Sequence, residues 1–226
     1  MKNKKKTSKI IRVFDYKMCF YDFIKWVAGL PVIIDLRIKR IYVKDGKEHK
    51  RSKGLFKGEF LIISNHISYI DPIILSNAFW ERRLGFVATN ELFEGRILGT
   101  FLKICGCIPI NKENISMKTF KDIKERFDRG HIVVLFPEGQ IEKGEEQLTQ
   151  FKTGAVLIAL NSKIPIIPVY IEHRTKRFKR QRVFIGEQID LKNYCDDDMP
   201  NMETLKQISE VLRKKELELE RISKKK

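Results

Sequence analysis

Ile62-Ile63-Ser64-Asn65-His66-Ile67-Ser68-Tyr69-Ile70-Asp71-Pro72 is the stretch from which the rest of the chain is read. The apolar run Phe60 to Ile63 predicts a short buried strand that ends in Asn65-His66. Asp71 follows five residues after His66, and Pro72 follows Asp71. Five residues of one helix turn about 140° past a full revolution, so on a single helix the two side chains would diverge. They meet only across a turn. Asp is a good helix N-cap and Pro is favoured at the first helical position. The spacing therefore predicts that His66 leaves a strand end and that Asp71 opens the next helix. A neutral imidazole held by a carboxylate can take a proton from a hydroxyl, with the carboxylate fixing its tautomer and stabilising the imidazolium. Such a base is worth about 10²–10⁴ in rate. No G-x-S-x-G turn occurs in the chain, so the nucleophile would be a hydroxyl of the substrate. The bland alternative is that Asp71 only caps a helix and His66 only ends a strand.

Outward from this stretch, strands are expected at 38–43, 84–88, 107–110, 132–136, 164–171 and 183–185. Helices are expected at 72–80, 91–104 (interrupted by glycines), 115–129, 154–161 and 202–220. Short, continuously apolar strands alternating with helices predict an α/β domain with a largely parallel sheet flanked by helices. Ligands in such sheets lie at the carboxyl ends of the strands. His66, Lys112 and Glu138 each follow a strand, so a parallel arrangement would gather them on one rim. Glu138 lies between Pro137 and Gly139 after the most apolar strand, where it could accept a hydrogen bond from a substrate hydroxyl or a neighbouring loop. Lys112 could meet an anion, although a lysine at a strand end is usually just solvated. Phe151-Lys152-Thr153-Gly154-Ala155 opens an apolar helix, and a helix N-terminus beside a lysine suits phosphate.

The chain has 226 residues, 42% of them hydrophobic, 33% charged, with a net charge of +16. That length suits one compact domain over 37–226, preceded by a basic tail and helical segment over 1–36. The charge favours a membrane surface, phosphorylated small molecules or nucleic acid. The aromatics sit in apolar runs rather than among the basic loops, and no nucleic-acid-binding motif is visible, so nucleic acid is not expected as a partner. The loop Arg174 to Arg182 holds six basic residues and no acid. Cys19, Cys105, Cys107 and Cys195 make no zinc set, and no metal is expected. Free thiols in a reducing cytoplasm are the simpler reading. A transmembrane helix needs about 20 apolar residues, and no span qualifies. Residues 14–34, rich in aromatics and flanked by lysines, predict a helix with a broad apolar face. It would either lie in a membrane interface with anionic lipids or pack on its own protein. The charges after the lysine-rich start argue against a signal peptide.

From about Phe56 to Leu191 these pieces resemble the 1-acylglycerol-3-phosphate acyltransferase family, part of the wider glycerolipid acyltransferase group. The first matching block is Asn65-His66-x-x-x-x-Asp71, and the second is Gly106-Cys107-Ile108-Pro109-Ile110-Asn111-Lys112. The third is Phe136-Pro137-Glu138-Gly139 with Phe151-Lys152-x-Gly154-Ala155 downstream, and the fourth is Ile167-Pro168-Val169. Ala88-x-x-Glu91-Leu92 and Ile185-Gly186-Glu187 match further positions. The resemblance implies that His66 is the general base and Asp71 its partner. They would activate an acceptor hydroxyl to attack an acyl thioester, with coenzyme A or acyl carrier protein released as co-substrate and no cofactor. It implies acceptor contacts from Lys112, Glu138 and Gly139, and attachment to the cytoplasmic face of a membrane; Asn65 and Lys152 are expected to bind substrate with them. Three positions depart from the family: Lys112 stands where Arg is usual, Gln140-Ile141-Glu142 where Thr-Arg-Ser is usual, and Thr89 where many members carry Lys. Lysine keeps the charge but loses the two-bond grip of a guanidinium on phosphate.

The expectation is thus a membrane-associated O-acyltransferase that converts 1-acyl-sn-glycerol-3-phosphate to phosphatidic acid. Another lysophospholipid or a non-phosphate lipid alcohol is the alternative acceptor, and a non-catalytic basic membrane-binding protein is the alternative class.

Overall fold

The computed structural model describes residues 35–49, 58–111, 115–141, 150–174, 179–195 and 200–225. The helix expected over 14–34 and the candidate Lys112 lie outside the described residues. The strands are β1 (Lys39–Lys44), β2 (Lys47–His49), β3 (Leu61–Ser64), β4 (Leu84–Thr89), β5 (Ile108–Ile110), β6 (Ile132–Leu135), β7 (Ile166–Ile171) and β8 (Arg182–Ile185). The helices are α1 (Asp71–Ala78), α2 (Arg96–Ile104), α3 (Met117–Asp128), α4 (Thr153–Ser162) and α5 (Met202–Lys224). The strands form one sheet in the order β2-β1-β8-β7-β3-β6-β4-β5.

From β7 to β5 every pairing is parallel, and this is the part of the sheet that carries the site. Its central strands β3, β6 and β7 are buried along their whole length, which explains their continuous apolar runs. Side chains alternate across a strand. Leu61 and Ile63 therefore join Val133, Leu135 and Ile166 in one core beneath α3, α4 and α5. Phe60 and Ile62 join Val134, Ile167 and Val169 in the other, against Ile74, Leu75 and Phe79 of the α1 region. At the far edge the direction reverses. β8 runs antiparallel to β7, β1 pairs parallel to β8, and a turn with positive φ at Asp45 and Gly46 folds β2 back onto β1.

Two expected elements differ in detail. The segment 91–104 is a short 3-10 turn, Asn90–Phe93, followed by α2, with the break at Gly95. Pro168 lies within an interior strand, where a missing N–H would normally leave a gap in the ladder. The gap is accommodated because β8 has already ended at Ile185, and the Gly186 N–H donates to the Pro168 carbonyl at 2.9 Å. A Cβ on residue 186 would stand 2.9 Å from the Pro168 ring, so this crossing needs glycine.

The end of β3 is tied to β7 by a side chain. Asn65 donates from Nδ2 to the Ile171 carbonyl at 3.0 Å, and its Oδ1 accepts from the Ile171 N–H at 2.7 Å. Asn65→Ala leaves both Ile171 groups buried without these bonds. The expected cost is about 1–3 kcal/mol, seen as a lower urea midpoint at unchanged slope.

Candidate active site

β3 delivers His66 to the carboxyl rim, and α1 begins at Asp71. The four residues between them make the required turn. His66 Nδ1 lies 2.8 Å from Asp71 Oδ2, and the same oxygen accepts from the Ile67 N–H at 2.7 Å and the Ser68 N–H at 2.8 Å. A carboxylate only accepts, so Nδ1 carries a proton, and in the neutral tautomer of the ring this leaves the lone pair on Nε2. The Asp71 side chain is fully buried, while that of His66 is 18% exposed. The acceptor that orients the ring is thus shielded from water, and the ring itself remains reachable.

Asp71 was expected as the N-cap. The cap residue is instead Ile70, which makes no side-chain cap bond, and Asp71 is the first helical residue with Pro72 behind it. Its carboxylate turns back onto the preceding loop because two backbone N–H groups and an imidazole converge there. The first turn of α1 still gains from a negative charge.

A side chain the sequence reading did not single out completes the placement of the base. The Phe136 ring stacks on the His66 ring with centroids 4.1 Å apart and planes 17° from parallel. Phe86 lies behind Phe136, with ring centroids 6.3 Å apart. Phe136 follows β6, the parallel neighbour of β3, so adjacent strand ends bring the two rings together. The signal in the sequence was its position directly before Pro137-Glu138.

The same connection places Glu138 and Gly139. Glu138 is 3% exposed, a buried carboxylate on the rim that carries His66. Gly139 has φ +70, in the left-handed region, and a Cβ there would lie 3.2 Å from both Cε and Nζ of Lys152. The Lys152 backbone N–H donates to the Pro137 carbonyl at 2.9 Å. Lys152 is also the N-cap residue of α4. The ammonium, the free N–H groups of the α4 N-terminus and the Pro137–Gly139 turn therefore form one positively biased corner. Asn65, expected to contact substrate, is fully buried with its amide engaged on Ile171, so it shapes the site through the backbone.

Cys107 of the second block and the neighbouring Cys105 are poor nucleophiles. Burial pushes the Cys107 thiol up to about 12, with a smaller upward effect from Cys105 and a downward one from Arg126, and burial raises Cys105 as well. A thiol in that range is almost wholly protonated at neutral pH, and the reactive form is the thiolate.

An imidazole held by a buried carboxylate and still reachable from solvent suits an enzyme that activates a substrate hydroxyl. The chain belongs to the Acyltransferase family, whose model matches residues 40–172. It is similar to the 1-acyl-sn-glycerol-3-phosphate acyltransferase of Streptococcus pneumoniae, with 26% identity over 194 residues, covering 81% of this chain and 69% of the relative. The Bacillus subtilis protein of the same name is 28% identical over 166 residues, covering 71% of this chain and 81% of the relative. The fold is that of the 1-acyl-sn-glycerophosphate acyltransferase of Thermotoga maritima, with a TM-score of 0.59 at 17% identity, covering 92% of this chain and 81% of that one. This protein is accordingly an acyltransferase.

Asp71→Asn tests the orienting role. The amide oxygen can still take a backbone donor, so the fold should persist by circular dichroism. Steady-state acyl-transfer kinetics should show kcat lower by about 10²–10⁴ with little change in KM.

Proposed function

We propose that this enzyme moves a fatty acyl group from an acyl thioester to the free hydroxyl of 1-acyl-sn-glycerol-3-phosphate, giving phosphatidic acid. The observation that carries the reading is the contact of His66 with a fully buried Asp71 at the end of β3. Nε2 takes the hydroxyl proton as the oxygen attacks the thioester carbonyl. The imidazolium formed is stabilised by Asp71. When the tetrahedral intermediate collapses, the C–S bond breaks and the proton passes from Nε2 to the leaving sulfur. The products are phosphatidic acid and the free thiol of coenzyme A or acyl carrier protein.

The corner made by Lys152 and the α4 N-terminus supports a phosphate-bearing acceptor. It supplies positive charge beside Gly139, where Ile141 supplies none. Glu138 is proposed to orient the acceptor on the same rim, and Lys112 to add a second cation. A lysolipid acceptor partitions to membranes. The enzyme is therefore proposed to act as a peripheral protein on the cytoplasmic face. Among the described residues no helix is long and apolar enough to cross a membrane.

Purified protein with detergent-dispersed lysophosphatidic acid and a labelled acyl thioester should transfer label to lipid. His66→Ala should reduce the rate by at least about 10²-fold. Lys152→Ala should raise KM for lysophosphatidic acid about 10-fold or more, the worth of one charge-assisted bond, and leave KM for a non-phosphate lipid alcohol unchanged. Transfer that survives His66→Ala contradicts the mechanism. Faster transfer to non-phosphate acceptors would instead assign the site to the other acceptor class.

A further inference from the structure

Helix α2 has the sequence Arg96-Ile97-Leu98-Gly99-Thr100-Phe101-Leu102-Lys103-Ile104, and its only buried residue is Gly99. Leu102 is half-buried, and the other seven residues of the helix are exposed. A Cβ at residue 99 would stand 2.2 Å from the Phe93 carbonyl oxygen, so the helix backbone rests directly on the 3-10 turn that precedes it. The apolar face is turned outward. Ile97 is 88% exposed, and Leu98, Phe101 and Ile104 are exposed with it. On a helical projection these four fall within about 120° of one another, with Arg96, Thr100 and Lys103 on the opposite arc. Contiguous apolar surface of this kind on a soluble domain marks an interaction face.

Its position says what the face meets. The 90–104 segment leaves the carboxyl end of β4, and the His66–Asp71 turn leaves that of β3. Both strands run parallel to β6 between them, so the two segments leave the sheet on one rim. The His66–Asp71 turn is apolar and exposed too, with Tyr69 at 89% and Ile70 at 41%. Leu92, on the turn before α2, is also exposed. Exposed aliphatic and aromatic side chains of both segments thus belong to the rim that carries His66. The α2 helix carries two cations and no acid, although Glu91 and Glu94 lie on the turn before it.

We infer that α2, with Leu92, Tyr69 and Ile70, is a membrane-docking face that lies in the surface of a bilayer containing anionic lipid and sets the catalytic rim against it. The inference rests on the acyl-transfer reading for the presence of lipid substrates at that rim. It is separate from any contribution of residues 14–34. Ile97, Leu98, Phe101 and Ile104 enter the acyl boundary, while Arg96 and Lys103 on the opposite arc stay at the level of the headgroups and add positive charge there. This is the arrangement of an interfacial amphipathic helix. A lysolipid would then move from the bilayer surface to His66 without crossing water.

The test uses the full chain and flotation with vesicles of phosphatidylcholine, with or without phosphatidylglycerol. The double variant Ile97→Glu/Phe101→Glu should lower partition into the phosphatidylglycerol vesicles by about 10-fold or more. Transfer to a vesicle-borne acceptor should fall by a similar factor, and transfer to a detergent-dispersed acceptor should be unchanged. Unchanged partition would overturn the inference. So would loss of the dispersed activity or a lowered melting temperature, which would mean that another part of the chain covers the face. A native dimer converted to a monomer would assign the face to a second copy and overturn it equally. Phe101→Trp gives a milder check: brominated phospholipid should quench its fluorescence beyond that of the native protein, and an absence of extra quenching contradicts docking. If the native enzyme transfers acyl groups to no acceptor, the functional reading fails while the flotation result still decides this one.

Discussion

A single carboxylate oxygen organises the site. Asp71 Oδ2 accepts from the His66 ring and from two consecutive backbone N–H groups, and the residue is fully buried. A buried carboxylate is costly unless donors satisfy it, and charge-assisted bonds are the strong ones. The loop over 66–71 thus has one stable way to close, with the imidazole as part of the closure. The base is held from three further directions. β3 is paired on both sides by β6 and β7, Asn65 locks its end to Ile171, and Phe136 lies flat against the ring. In the proposed role of base, an imidazole held this way needs little reorganisation when a substrate arrives.

The corner proposed to receive the acceptor follows a similar logic with other means. Gly139 adopts a backbone conformation that side chains disfavour, and the space its missing Cβ leaves is taken by the Lys152 chain. The Lys152 N–H is fixed on the Pro137 carbonyl, so the turn after β6 and the start of α4 move as one piece. Phe136 links that piece to His66. The base and the positive corner are therefore separate in sequence but share one rigid connection, the three or four residues beyond β6.

Much of this was legible before any coordinates, and the reasons are local. The strands at 61–64 and 132–135 are apolar on both faces, so their sequences carry an unambiguous continuous run. The five-residue spacing of His66 and Asp71 is meaningful because helix geometry forbids the pair any other meeting. The misreadings came from features without a local signature. Asn65 looks like a polar residue at a rim, and only the register of β3 against β7 shows that its amide is spent on Ile171. The stacking of Phe136 depends on which strand neighbours β3, a fact of topology. The reversal at β8 and the antiparallel β2 arise from pairings between segments remote in the chain or too short to show a period. The outward apolar face of α2 looks like a buried face in sequence. Its exposure follows from the close seat of Gly99 on Phe93, which the apolar pattern does not encode.

The most direct test of the account is the protonation pattern of the His66 ring in the resting enzyme at neutral pH. It can be read from nitrogen chemical shifts of histidine-labelled protein, with His66→Gln used to assign the signals. The account predicts a neutral ring whose Nδ1 is protonated and whose Nε2 shows the shift of a bare lone pair, unchanged when bulk lipid is absent. A ring protonated on Nε2 with a bare Nδ1 would mean that Asp71 does not hold the imidazole as described, and Nε2, the nitrogen proposed to take the hydroxyl proton, would already carry one.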